Sequence, residues 1–256
     1  MRYWSCAMKV GPVLPNTMFA PPADSNFASA ITLSRESPDA IPPPLRPSTG
    51  ACTTLVEAST DRRGALESFV AQRFFEVYGA RIHAFLPRLF GAQDRRGALA
   101  AVFGLRGADQ GPLFLEQYLD APVEILVAAS FGRHAGRRQI AEVGNLAGAS
   151  PGALRSLIPT LTHRLQDEGY RFVAFTGSAR LCNGFSRLGL PLRVVAPAPP
   201  ERLPEAERAL WGRYYDHQPS VMLGDVDLGV ELLSALADRP AELRAQLAPL
   251  ARVGAP

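Results

Sequence analysis

Residues 138–190, RQIAEVGNLAGASPGALRSLIPTLTHRLQDEGYRFVAFTGSARLCNGFSRLGL, constrain the fold more than any other part of the chain. They read strand, loop, helix, strand, helix. Residues 140–147 form a short apolar run, and small loop residues follow. Ser150-Pro151 starts a helix, with Ser as N-cap and Pro in the first turn, where a missing N–H costs nothing. Leu154, Leu157, Ile158, Leu161 and Leu165 recur at helical spacing, so one face is buried. Pro159 lies inside that pattern and predicts a kink; Gly169 ends the helix. Residues 171–176 (RFVAFT) are almost wholly apolar, as in a strand covered on both faces. Residues 178–189 predict a shorter helix that Gly189 closes.

The rest of the chain adds elements around this unit. Residues 1–50 hold nine of the 23 prolines and no sustained periodicity, which predicts a disordered Pro-rich leader. Residues 51–57 predict a first strand. Residues 61–78 predict a helix with Leu66, Phe69, Val70, Phe74 and Val77 on its apolar face, closed by Gly79. Residues 80–96, with Pro87 and Gly91, read as a long connection. Residues 98–106 predict a strand with Gly104 as a bulge. Residues 113–119 read as an extended segment, and Pro122 starts a helix through Phe131. Further on come a strand at 192–195, a helix over 204–217, and a strand at 220–223. The domain is expected over 51–229. Residues 230–256 then form a tail of amphipathic helices split by Pro240.

Composition narrows the function classes. With 256 residues, 47% of them hydrophobic, the chain can bury one sizeable core plus tails. The net charge is +3, carried by arginine with Lys9 as the only lysine, and no dense basic block points to nucleic acid. Cys6, Cys52 and Cys182 are odd in number and far apart, so neither a disulfide framework nor a zinc site is expected. Cys182 reads as a small packed residue. A reducing, cytoplasmic setting follows. The longest apolar run, residues 121–131, is about half a membrane span and contains Glu124. The amphipathic tail allows peripheral membrane contact.

The motifs YGARI (78–82), LFLEQYLDAPVE (113–124), EVGNLA (142–147), GYRFVAFTGSARLCNGFSRLGL (169–190) and WGRYY (211–215) resemble those of the thermostable haemolysin family, over about residues 60–229. The element order of 138–190 and its ending FSRLGL resemble the core of the GNAT acyltransferase superfamily. That resemblance implies an α/β (α+β) fold: a GNAT-like mixed, mostly antiparallel central sheet with a splayed strand pair and helices on both faces. It implies transfer of a fatty acyl group from a CoA or acyl-carrier-protein thioester to an amine. Acyl-CoA or the acyl carrier protein conjugate would be a co-substrate, and no cofactor would be permanently bound. The alternatives are a haemolysin-type membrane-active protein and a non-catalytic module that binds acyl thioesters. Monomer and dimer are both open.

Acyl transfer needs a polarised carbonyl, a held carrier and a proton acceptor. On this resemblance the amides of Leu146 and Ala147 would face the carbonyl. Ser150 and the amides of Gly152 and Ala153 would face phosphate at a helix N-terminus. The loop AGASPGA departs from the usual Gln/Arg-x-x-Gly-x-Gly/Ala pattern, which favours a long acyl chain over acetyl-CoA. Phe185 stands where many relatives carry an acidic Tyr. Glu142, in an apolar strand, is the candidate base, or else a salt-bridge partner of Arg138 or another arginine. Glu116 is a second catalytic candidate, and Tyr118 is an acid or packing. Asp120, Glu124 and Arg138 would flank the acceptor, and residues 80–96 would border it. Asn145 would bind the donor, or tie the splayed strand to a loop. The four histidines show no metal-ligand spacing.

Overall fold

The structure, a computed structural model, describes residues 54–238. The expected leader, the first residues of the 51–57 strand and the tail from 239 onward lie outside the described residues. In chain order the elements are β1 (Thr54–Glu57), α1 (Thr60–Tyr78), β2 (Arg88–Gln93), β3 (Leu99–Gly107), α2 (Val123–Phe131), β4 (Ile140–Gly148) and α3 (Pro151–Asp167). They continue with β5 (Phe172–Gly177), α4 (Ala179–Ser186), β6 (Leu192–Pro197), α5 (Glu205–Arg208), β7 (Ser220–Asp225) and α6 (Val226–Ala237). One seven-stranded sheet runs β1-β2-β3-β4-β5-β7-β6. Every pair is antiparallel except β4 with β5. This is the mixed, mostly antiparallel sheet that the resemblance implied.

Alternation along each strand sends side chains to two cores. Phe90, Phe103, Ala141, Val143, Phe175 and Met222 pack under α3, α4 and α6. On the other face Leu89, Leu99 and Val102 meet Leu66, Phe69 and Val70 of α1. There too, Ile140, Phe172, Ala174 and Leu223 meet Val123 and Val127 of α2. Helix α3 starts as its sequence dictates: Ser150 Oγ accepts the N–H of Ala153 at 3.1 Å, with Pro151 in the first turn. Helix α6 begins at Val226, where Asp225 Oδ1 accepts the N–H of Leu228 at 3.1 Å. Its Leu233 is buried in the same core as Phe175 and Met222.

Three expectations need correction. The connection over 80–96 contains the six-residue strand β2, which pairs with both β1 and β3. Its Gly91 is a packing residue: a Cβ there would lie 3.0 Å from Leu99 and 3.4 Å from Leu66. Residues 113–119 are not extended. Phe114–Tyr118 winds as a 3₁₀ turn because Glu116 Oε2 folds back to accept the N–H of Leu113 at 2.8 Å. The helix over 204–217 breaks into α5 and two 3₁₀ turns, Ala209–Trp211 and Tyr214–His217.

That break has a steric cause. Gly212 sits at φ 51° and ψ −126°, which only glycine adopts readily. A Cβ on it would lie 2.4 Å from the carbonyl oxygen of Tyr78. The chain passes this close because Arg81 N donates to Leu210 O at 2.7 Å and Arg213 N donates to Tyr78 O at 2.8 Å. The motifs YGARI and WGRYY are therefore stitched backbone to backbone. Gly212→Ala must break this contact and should cost about 3 kcal/mol, read as a lowered urea midpoint at unchanged slope.

Candidate functional site

The ladder between β4 and β5 pairs Ile140 with Phe172, Ala141 with Val173 and Glu142 with Ala174, and stops there. Beyond it, β4 keeps β3 on one side and has no strand partner on the other. The parting has a local origin. Between the pairs Val102–Ala147 and Gly104–Gly144, the single residue Phe103 faces two, Asn145 and Leu146. This is a β-bulge, and Asn145 takes the left-handed conformation it requires, with φ 50°. Asparagine tolerates that region better than most residues. Its amide then ties the strand to the loop before β2: Oδ1 accepts the N–H of Leu86 at 2.8 Å, and Nδ2 donates to Ala84 O at 3.3 Å.

A cavity of about 630 Å³ occupies the gap and passes through the sheet. On the α3 side its wall is apolar: Leu157, Ile158, Leu161, Leu165, Phe175 and Phe185. On the α1 side it is aromatic and polar: Tyr78, Arg106, Phe114, Tyr118, Glu142 and Tyr214. Leu146, Ala147 and Ser150 line the stretch leading to the start of α3, with Arg155 and Arg180 near them in the lining. Main-chain groups on the open edge of β4 thus face the space.

The candidate residues separate into those on this gap and those elsewhere. Glu142 lines it and is 4% exposed. Its Oε2 accepts the N–H of Phe114 and its Oε1 that of Leu115, both at 2.9 Å. Burial pushes its pKa up, against the lowering effect of those two N–H groups and of Arg106. No ion pair with Arg138 forms, since Arg138 is 91% exposed and reaches only Asp109 at 3.9 Å. Tyr118 also lines the gap, its hydroxyl 2.6 Å from that of Tyr215. Burial, then this contact, pushes Tyr118 far up, while burial pushes Tyr215 up to about 12. Both hold their protons at neutral pH.

Glu116 and the three acceptor candidates are placed differently from expectation. Glu116 accepts the N–H groups of Leu113 (2.8 Å) and Val123 (3.2 Å) and grips Arg137 with both oxygens at 2.7 and 2.9 Å. Arg137 also binds Glu124 at 2.7 Å and donates to Ala108 O and Gly111 O. Glu116 and Glu124 are thus spent on a structural clasp holding the 108–124 segment. Asp120 faces solvent and pairs with Arg202. None of Asp120, Glu124 and Arg138 lines the gap. At the start of α3, the Ala153 N–H expected to meet phosphate is taken by Ser150 Oγ. Gly152 is exposed just outside the lining.

Several lining residues were not singled out as site residues by the sequence: Arg106, Thr176 and the aromatic wall of Phe74, Tyr78, Trp211 and Tyr214. The rings of the wall pack on one another at 5.1–6.2 Å between centroids. The motifs YGARI and WGRYY marked Tyr78, Trp211 and Tyr214, and Phe74 was marked only as part of the apolar face of the 61–78 helix. Cys182 packs against Met222, and burial raises its thiol pKa, as for an inert core residue. Among the described residues no group of three His, Cys, Asp or Glu side chains is gathered for a metal.

The sheet is mixed, with one parted parallel pair and a largely apolar cavity in the gap. The chain belongs to the thermostable hemolysin family, whose model matches residues 56–230. No sequence among the curated proteins matches it. Solved structures similar to it include FeeM, an N-acyl amino acid synthase from uncultured soil microbes, at 18% identity and TM-score 0.47, covering 69% of this chain and 93% of that one. BjaI, a CoA-dependent acyl-homoserine lactone synthase with SAM and isopentyl-CoA, is similar at 14% identity and TM-score 0.48, covering 75% and 92%. TofI in an apo form is similar at 11% identity and TM-score 0.47, covering 71% and 97%.

The clasp makes a pH prediction. Arg137 first, then the two N–H groups, hold the Glu116 pKa at about 2, below its ordinary 4.5. Because the folded value is the lower one, this stability is present above pH 4.5 and is lost as pH falls toward 2. Glu116→Gln should cost about 2 kcal/mol at pH 7 and little at pH 2.5, measured by urea denaturation at both.

Proposed function

We propose that this chain transfers a fatty acyl group from a CoA or acyl-carrier-protein thioester to an amine. The observation that carries the reading is the gap between β4 and β5: an apolar cavity beside an open strand edge, with one buried carboxylate on its wall. The acyl chain lies along Leu157, Leu161 and Phe175. N–H groups of the open edge near Leu146 polarise the thioester carbonyl. The amine nitrogen attacks that carbon, an N–C bond forms and the C–S bond breaks. The proton lost by the amine passes to Glu142 directly or through water, and the sulfur leaves to be protonated as the free thiol. Ser150, Arg155 and Arg180 sit where the carrier's phosphates enter. This assignment gives Glu142 the role of base and leaves Tyr118 as a neutral hydrogen-bond donor.

The test is release of free thiol from dodecanoyl-CoA or its carrier-protein counterpart in the presence of amines, with the N-acyl product identified by mass. Glu142→Gln should lower kcat about 100-fold. It should also remove the acidic limb of the pH profile, which in the wild-type protein falls above the ordinary carboxylate range because burial raises the Glu142 pKa. A urea midpoint checks that the variant is folded, since Gln meets one of the two N–H groups with its own NH₂. Full activity in Glu142→Gln contradicts the assignment. The family's description favours a second reading, direct membrane damage. Among the described residues no helix is long and apolar enough to cross a membrane. Dye-filled vesicles should stay intact with the purified chain until an acyl thioester and an amine are added.

A further inference from the structure

Among the described residues, two buried side-chain polar atoms have no hydrogen-bond partner in the protein: Arg106 Nε and Thr176 Oγ1. Both residues line the gap between β4 and β5. Unmatched buried polar atoms are rare and costly, so two at one cavity call for an explanation. Arg106 is the more telling. Its guanidinium carries five donors, yet it makes one long hydrogen bond, 3.5 Å to Gln110 O, and no ion pair. Arg73, which also lines the gap, is better matched: it holds Gly148 O and Glu76. Arg106 also lies directly across the strands from Glu142. Side chains at such opposed positions leave the sheet on the same face, with Cβ atoms about 5 Å apart. The wall therefore presents a cation and an anion side by side, and the anion is already occupied by two backbone N–H groups rather than by Arg106.

We propose that Arg106 anchors the carboxylate of the acceptor, so that the acceptor is an α-amino acid and not a simple amine. This rests on the acyltransferase reading above and names its second substrate. An α-amino acid carries an ammonium and a carboxylate on one carbon, the mirror of the Arg106–Glu142 arrangement. Its carboxylate takes the guanidinium fork in bidentate form, which sets its amine toward Glu142 and the thioester carbon. A simple amine would bring a second cation beside Arg106 and leave the guanidinium unmatched. The bond made is the amide N–C bond and the bond broken is the thioester C–S bond; the carboxylate stays unchanged throughout. Gly104 and Gly144 face each other beside this pair, with the loop residue Leu86 as their cover.

The experiment compares acceptors that differ by the carboxylate alone: leucine against isoamylamine and tyrosine against tyramine, with dodecanoyl-CoA and dodecanoyl-carrier protein as donors and the full chain as enzyme. The amino acid should be preferred by at least about 100-fold in kcat/KM. In Arg106→Gln that preference should collapse toward unity, mainly through KM for the amino acid, and Arg106→Lys should recover part of it. The wild-type comparison decides the matter even if Arg106→Gln fails to fold. Equal or better use of the amines overturns this inference and leaves the transferase reading standing. No acylation of any acceptor from either donor overturns both.

Discussion

The two-against-one bulge at Asn145 is the feature on which the rest of the site depends. Parallel strands joined by a helix ordinarily zip along their length. Here β4 must carry one residue more than β3 between its pairs with Val102 and Gly104, which turns the strand away from β5 after Glu142. The left-handed Asn145 is held by its own side chain, whose amide closes on Leu86 and Ala84. The strain is local, and the same bonds position the loop that covers the gap. Gly104 and Gly144 let that loop approach, since a Cβ on either would lie within 3.0 Å of Leu86.

Around this opening the acidic residues do two kinds of work. Glu116 and Glu124 neutralise Arg137 and close the 108–124 segment on itself. Glu142 is tied to the same segment by two backbone N–H groups, yet it also borders the cavity with a raised pKa. A carboxylate in that position both orders its surroundings and can exchange a proton with a ligand. The dual role explains why substitution at Glu142 needs a stability control and substitution at Arg106 needs an acceptor comparison.

Much of the scaffold was legible in the chain. Periodicity and caps gave α1 and α3, and the apolar run of β5 gave a strand covered on both faces. β2 was hidden because Pro87 and Gly91 read as loop residues, and only the packing of Leu66 and Leu99 on Gly91 explains the glycine. Glu116 read as chemistry because its partner Arg137 lies 21 residues away, a separation no local pattern reports. Arg106 had no signal at all, since a lone arginine at a strand end is unremarkable until its neighbours are seen. Three of the four rings of the aromatic wall were marked by two short motifs, but the assembly of the wall follows from backbone bonds between Tyr78 and Arg213 and between Arg81 and Leu210.

That the gap seats an acyl chain is tested most directly by dependence on chain length. Gly184 of α4 lines the apolar half, and a Cβ on it would meet only Ile158, at 4.0 Å. Gly184→Trp therefore projects into free space. Each methylene buried contributes about 0.8 kcal/mol, about fourfold in affinity. Wild-type kcat/KM should climb with acyl length from butanoyl to dodecanoyl thioesters, and the variant should stop climbing several carbons earlier. Identical profiles in the two proteins, or a wild-type profile that is flat in chain length, would contradict the account.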